Sequence, residues 1–175
     1  ANIAAARFLD RHRVPTLYRV HGLPEIDRLE TLRQFLREFG LWLPPAEEVK
    51  PEHLRDLLAK IGDRPDALLI STAVIRSMPQ AVYQPGNIGH FGLALEHYAH
   101  FTSPIRRYPD LLVHRAIRHA VAGGTPGDYL YSESEMTLRS AHCSQNERRA
   151  DEAERDVDER FKCAWMEKHV GDEFD

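Results

Sequence analysis

Apolar residues recur at spacings of three and four along most of the chain, which predicts a helix-rich protein. These stripes predict helices over residues 2–11, 51–61 and 65–76, and another from Pro24 to about residue 39. Two later helices are predicted over about 108–122 and 132–169. Glycines at 40, 62 and 123–124 follow three of the stripes, as expected for helix ends.

Short apolar runs in the middle of the chain have a different character. Residues 17–20, 81–83 and 91–95 are rich in residue types that suit a pleated surface, and they predict short strands. The last two runs are separated by the turn-forming stretch 85–89, which contains proline, glycine and asparagine. We therefore predict an α+β fold, mainly helical with a few short central strands.

Composition is that of an ordinary globular protein: 175 residues, 42% hydrophobic and 29% charged, with a formal net charge of −4. No run approaches the roughly 20 apolar residues that a membrane span needs, and no basic-then-apolar leader opens the chain. Cys143 and Cys163 lie on one predicted helix, about 30 Å apart at 1.5 Å per residue, too far for a disulfide. We expect a cytoplasmic monomer with reduced thiols and no membrane partner.

The charge is not spread evenly. Residues 97–119 contain four arginines and one acidic residue, Asp110, so this basic segment carries +3 within a negative chain. Five of the ten histidines lie between residues 90 and 119. The net charge alone argues against a polyanion ligand, whereas its distribution favours one.

The groups in the basic segment suit a phosphodiester ligand. Thr102 and Ser103 offer hydroxyls on a loop that enters a helix, and backbone N–H groups at the start of that helix are expected to be free. A nearby arginine adds a fork of donors that matches phosphate oxygens. Tyr98, Phe101 and Tyr108 offer rings on which bases could stack.

Simpler interpretations of the same residues remain open. Tandem arginines before a helix are often solvated or engaged in salt bridges, and Phe101 and Tyr108 could belong to the core. His97 and His100 have a spacing that a metal site could use, which keeps a histidine-based metallohydrolase as a weak third hypothesis. The charged residues of the last helix alternate in sign at helical spacings, which is typical of a solvated face.

Longer motifs connect these features to a known family. The runs GHFGLAL at 89–95 and YAHFTSPIRRYPDLLVHR at 98–115 closely resemble the signature of the RNB family of exoribonucleases. The segments LYRVH at 17–21 and CSQNERRADEAERDV at 143–157 are also similar to the family. The resemblance covers residues 1 to about 169.

This resemblance implies processive 3′→5′ hydrolysis of single-stranded or structured RNA to nucleoside 5′-monophosphates. In the family, Mg²⁺ held by a cluster of aspartates activates water for in-line attack. That cluster would precede Ala1, so we expect no metal ligand in this chain and no activity from the chain alone. The runner-up is a non-catalytic RNA-binding module that has lost the metal site, which an upstream sequence without the aspartates would indicate.

The resemblance also assigns roles to particular residues. Arg106 corresponds to the catalytic arginine that contacts the phosphate under attack. Thr102 and Ser103 correspond to a loop at the RNA backbone, and Arg107 corresponds to a basic position with a supporting phosphate or structural role. Tyr98 and Glu154 are further expected RNA contacts, the latter near the RNA channel.

The chain ends suggest a domain organisation. The sequence opens without methionine in a helix that has no capping residue ahead of it, and it closes as a helix stops. We therefore expect residues 1–169 to be the C-terminal part of an RNB catalytic domain. Residues 170–175 would begin an OB-fold RNA-binding domain.

Overall fold

A computed structural model describes residues 1–173. The chain forms six α-helices and two β-strands within this range: α1 (Asn2–His12), β1 (Tyr18–Val20), α2 (Ile26–Glu38), α3 (Pro51–Ile61), α4 (Ala67–Ser77), β2 (Val82–Gln84), α5 (Tyr108–Val121) and α6 (Glu133–Met166). Short 3₁₀ turns occur at Ala46–Glu48, Phe91–Leu93, Pro126–Asp128 and Glu167–His169. The predicted helix-rich α+β class is confirmed.

Helices α2, α3 and α4 form a helical lobe with its own core. Leu29, Leu32 and Leu36 follow one face of α2 at spacings of three and four, and all three are buried. They pack with apolar residues of α3 and α4, including Leu57 and Ile70. The lobe therefore follows directly from the amphipathic spacing of its helices.

The rest of the molecule is organised around α1, α5 and a two-stranded sheet. β1 and β2 pair antiparallel with Arg19 opposite Tyr83. Helix α1 packs against α5, and the shared core includes Leu9 and Val113. A smaller cluster containing Met136 joins the start of α6 to the sheet and α5.

The predicted strand at 91–95 is wrong. Phe91–Leu93 form a single 3₁₀ turn, and Ala94 adopts a left-handed conformation with φ of 54°. His90 and Leu95 exchange backbone hydrogen bonds of 2.7 and 3.2 Å, which close the segment on itself. Gly89 enters this turn with φ of 78°, and a Cβ there would lie 3.1 Å from the Leu95 carbonyl oxygen. The apolar run is therefore a tight turn and not a strand.

Helix α6 is continuous through Met166, close to its predicted extent. Ser132 caps it by accepting a hydrogen bond from the Glu135 N–H, and the Ser132 N–H donates in return to the Glu135 carboxylate. Cys143 and Cys163 both lie on this helix as free thiols, as predicted. Within residues 1–173, the side chains of the second half of α6 are exposed, including the apolar stripe that contains Val157, Phe161 and Trp165.

Two further predictions concern the end of the chain and membrane association. Residues 170–173 contain no strand, and 174–175 lie outside the described residues, so the start of an OB-fold stays a prediction. No helix in residues 1–173 combines the length and apolar character needed to cross a membrane.

Candidate nucleic-acid interface

The loop that precedes α5 is held by one buried carboxylate. Asp110, in the first turn of α5, is fully buried, and its Oδ1 accepts a 2.8 Å hydrogen bond from the Ser103 N–H. The same oxygen accepts from Arg107 Nη2 at 2.9 Å. Backbone bonds from the N–H groups of Arg106 and Arg107 to the Ser103 carbonyl tighten the loop further.

This arrangement bears on two of the sequence expectations. Donors around the start of α5 were expected to face an external anion, and one of them, the Ser103 N–H of the preceding loop, is instead bound to an internal carboxylate. An acid in the first turn is favoured there because it lies at the positive end of the helix dipole. Arg107 is engaged in a salt bridge with that acid, which matches the structural alternative for this residue.

Arg106, unlike Arg107, has no acidic partner within residues 1–173. Its side chain is exposed and makes no hydrogen bond or ion pair with any residue in the described part of the chain. Ile105, just before it, is fully exposed at 102%. The anchored loop therefore presents an unneutralised guanidinium to solvent.

A cleft of about 540 Å³ lies between this loop and α6. Its lining includes Tyr83, Arg106, Arg107, Tyr108, Pro109, Arg139, His142, Cys143, Asn146 and Glu147. Burial raises the pKa of the Cys143 thiol above its usual range, so this thiol is kept protonated. We call this space the cleft.

Glu147, which lines the cleft, belongs to a charge pair with a residue of β1. Arg19 on β1 donates to Glu147 on α6 at 2.6 Å, and its guanidinium lies 4.6 Å from the centre of the Tyr83 ring. Glu147 thus departs from the solvated face predicted for the last helix. The Ser144 hydroxyl accepts the Tyr83 N–H at 2.9 Å, which fixes α6 against β2.

Histidines behind the loop are held neutral. Burial lowers the pKa values of His90 and His100 to about 4, and nearby arginines contribute. His100 Nδ1 lies 2.8 Å from the Tyr83 hydroxyl, and the ring of Tyr98 is edge-on to both histidines. Burial also raises the pKa of Tyr83 to about 12.

The spacing of His97 and His100 does not bring them to one centre. His97 Nε2 lies 3.3 Å from Asp10 Oδ2, whereas His100 faces Tyr83. Among residues 1–173, no group of three or more histidine, cysteine, aspartate or glutamate side chains is placed to hold a metal ion. The residues described here therefore do not fit a magnesium site.

The other predicted contacts occupy varied positions. Thr102 is exposed on the loop, and Ser103 is half-buried. The hydroxyl of Tyr98 accepts a 3.1 Å hydrogen bond from Asn2 Nδ2, so this ring is a structural part of the loop support. Glu154 is exposed on α6 about 10 Å beyond Glu147 along the helix axis, and it does not line the cleft.

The three aromatic rings proposed for base stacking also differ. Phe101 stacks on His114 with ring centres 4.1 Å apart, and His114 is bonded to the Phe101 carbonyl, so this ring is internal. Tyr108 is 41% exposed and lines the cleft. Of these rings, Tyr108 is best placed to meet a ligand.

Sequence reasoning missed two residues of this site. Asp110 was noted only as the single acid of the basic segment, although a buried acid in the first turn of a helix is a recognisable signal. Arg139 lies in a segment without a motif, and its place in the cleft depends on how α6 packs on the sheet. No local pattern could have found it.

Comparison with known proteins identifies a family and full-length relatives of the chain. Residues 1–123 match the RNB domain. The chain is 49% identical over 182 residues to ribonuclease R of Escherichia coli and 49% identical over 184 residues to that of Vibrio cholerae. These alignments cover 99% and 100% of the chain but only 22% of each relative, so the chain spans about a fifth of their length.

Solved structures share the fold. The apo form of Mycoplasma genitalium RNase R superposes with a TM-score of 0.88 at 24% identity, covering 96% of the chain and 27% of that protein. The same enzyme in complex with double-stranded RNA gives 0.86 at 25% identity, covering 97% and 31%. Yeast Ssd1, a pseudonuclease, gives 0.71 at 25% identity, covering 81% and 18%. On the domain match and the identity along its whole length, the chain belongs to the RNB family.

Proposed function

We propose that this chain is the phosphate-binding part of a 3′→5′ exoribonuclease that degrades RNA processively to nucleoside 5′-monophosphates. The observation that carries the proposal is the exposed Arg106, unpaired within residues 1–173, on a loop anchored from beneath by Asp110. Membership of a family that includes ribonuclease R supports the reaction. The structure of a relative bound to double-stranded RNA supports RNA, single-stranded or structured, as the substrate.

Arg106 is proposed as the catalytic arginine. Its planar fork of donors matches two oxygens of a phosphodiester. Negative charge grows on those oxygens during hydrolysis, so a preorganised cation contributes more to the transition state than to the ground state. Asp110 and Arg107 would hold the loop in place so that Arg106 does not reorganise.

The other predicted contacts keep their proposed roles. Thr102 and Ser103 would donate hydroxyl hydrogen bonds to the RNA backbone beside Arg106. Arg107 would add positive potential while remaining paired with Asp110. Tyr98 and Glu154 would contact RNA further from the reacting phosphate.

Mg²⁺ is proposed as the cofactor of the complete enzyme, as is typical of the family. Because residues 1–173 contain no group placed to hold a metal, its ligands would come from outside the described residues. We therefore derive no step through the metal, and we expect the 175-residue chain alone not to hydrolyse RNA when magnesium is added. Robust hydrolysis by the isolated chain would contradict this division of roles.

The test of the proposal is the Arg106→Ala variant in the full-length polypeptide that carries this chain. We expect single-turnover RNA hydrolysis to slow by about 10²–10³-fold, as for loss of one transition-state donor. Arg55→Ala, which removes an exposed arginine of the helical lobe, is the matched control and should leave the rate unchanged. An unchanged rate in Arg106→Ala would overturn the assignment.

A non-catalytic RNA-binding module is the second candidate. The fold match to yeast Ssd1, a pseudonuclease, favours keeping it. The two candidates make opposite predictions for the wild-type full-length polypeptide: the enzyme shortens RNA in magnesium, whereas the module binds RNA and leaves it intact.

A further inference from the structure

The cleft has two walls from distant parts of the sequence. Arg106 and Tyr108 come from the loop and the start of α5, whereas Arg139, His142 and Asn146 come from α6. Its volume of about 540 Å³ lies within the range of roughly 300–1,000 Å³ typical of small-ligand sites. A second wall with its own polar groups gives a ligand hydrogen-bonding contacts in addition to those from the loop.

The charges in and around the cleft are not balanced. Glu147 is the one acidic residue among the described side chains that line it, and Glu147 is already paired with Arg19. Asp110, beneath the loop, is paired with Arg107. Two guanidinium groups, those of Arg106 and Arg139, therefore face the cleft without an acidic partner in the described part of the chain.

Arg139 is held in place by neutral groups. Its Nη1 donates to the Tyr108 hydroxyl at 3.1 Å, and its guanidinium lies 4.2 Å from the centre of the Tyr131 ring. Its Nε is buried and has no hydrogen-bond partner within residues 1–173. Glu135, one turn earlier on α6, directs its carboxylate to Ser132.

This environment orients the cation without neutralising it. A hydroxyl oxygen and an aromatic face stabilise a guanidinium only partly, and a buried donor without a partner is costly. An anion entering the cleft would supply the opposite charge that the guanidinium lacks. The planar fork of arginine selects phosphate oxygens among such anions.

We propose that Arg139 is a second phosphate-contacting residue, and that the cleft binds one nucleotide of the RNA between Arg139 on α6 and Arg106 on the loop. The exposed ring of Tyr108 would receive the base or sugar of that nucleotide. The inference rests on the proposed function because the ligand is part of the same RNA. It adds to the interface an arginine of α6 that lies outside the family motifs.

The experiment measures binding of a 5′-fluorescein-labelled oligouridylate to the full-length polypeptide in EDTA, so that hydrolysis does not interfere. Arg139→Gln removes the charge but keeps a donor for Tyr108. We expect it to weaken binding about tenfold, in line with loss of a charged hydrogen bond. The slope of log K against log salt should become shallower by about 0.7, the value for one contact to a single strand.

Two controls accompany this variant. Arg55→Gln removes an exposed charge from the helical lobe and should bind like the wild type. Uridine monophosphate should displace the labelled RNA from the wild type more effectively than uridine does, and Arg139→Gln should reduce that difference. Arg139→Gln with wild-type affinity and salt slope would overturn the inference.

The inference and the proposed function can fail separately. If Arg139→Gln binds normally while Arg106→Ala slows hydrolysis, the second contact is wrong and the enzyme assignment stands. If the wild type never hydrolyses RNA but Arg139→Gln weakens binding, the enzyme assignment is wrong and the second contact stands. Should Arg139→Gln lose its helical circular dichroism, Arg139→Lys is the test: it keeps the charge and loses the fork, and wild-type affinity would overturn the inference.

Discussion

The helical lobe and the cleft differ in the kinds of side chain that they bury. Residues 26–77 of the lobe bury leucines at regular spacings, and its charged side chains pair with near neighbours at the surface. Around the cleft lie a fully buried acid, histidines held neutral, and buried polar atoms without partners, including Arg107 Nε, Asp110 Oδ2 and Arg139 Nε. None of the unpartnered buried atoms found in residues 1–173 belongs to the lobe.

This difference separates stability from function. Burial of apolar surface without unsatisfied polar groups contributes most per residue to folding. Unsatisfied polar groups cost folding energy, so their retention calls for another reason, such as a catalytic role or a bound water or ion. We therefore expect changes in the lobe to alter stability alone, and changes at the cleft to alter RNA binding or hydrolysis as well.

The largest expected change in stability is in the lobe. Leu36→Ala removes a fully buried side chain of α2 and should lower the free energy of unfolding by about 2–5 kcal/mol, from lost burial and a residual cavity. Urea denaturation of the chain would measure this. Below its melting temperature, the folded full-length variant should bind RNA like the wild type. Weakened RNA binding by the folded variant would contradict the expectation that changes in the lobe alter stability alone.

Asp110→Ala should affect both properties. Removing one partner of a buried pair leaves the other charge uncompensated, a loss of about 3 kcal/mol here because Arg107 keeps some solvent access. The freed loop should also slow RNA hydrolysis, measured at saturating RNA. Asp110→Asn keeps an acceptor for the Ser103 N–H and should recover part of the rate. A normal rate in the folded alanine variant would show that Arg106 needs no anchored loop.

A smaller effect should appear as the pH falls. The pKa values of His90 and His100 are lowered to about 4 by burial, so the unfolded chain binds more protons between about pH 6.5 and pH 4. Their contribution to stability is complete above about pH 6.5 and is lost as the pH falls through this window. The free energy of unfolding, measured by urea denaturation at several pH values, should depend less steeply on pH in His100→Gln than in the wild type. Leu36→Ala should keep the pH dependence of the wild type.

Much of the fold could be predicted because its causes are local. The stripes of α2 and α3, the glycine that follows each and the proline that begins α3 all act within a few residues. The loop with Arg106 was predicted from its motif. The run at 91–95 misled because apolar content alone cannot tell a strand from a turn closed by hydrogen bonds between His90 and Leu95.

Sequence by itself determined the helices, the basic segment and the family resemblance, since each rests on residues close together in the chain. Tertiary structure decided which charges are free. Glu147 is neutralised by Arg19, 128 positions away. Arg139 meets Tyr108 because α6 packs on β2 and α5, through the Ser144 hydrogen bond and the buried Met136. Charge interactions depend on distance in space and on burial, so a spacing rule can find an arginine but not its partner.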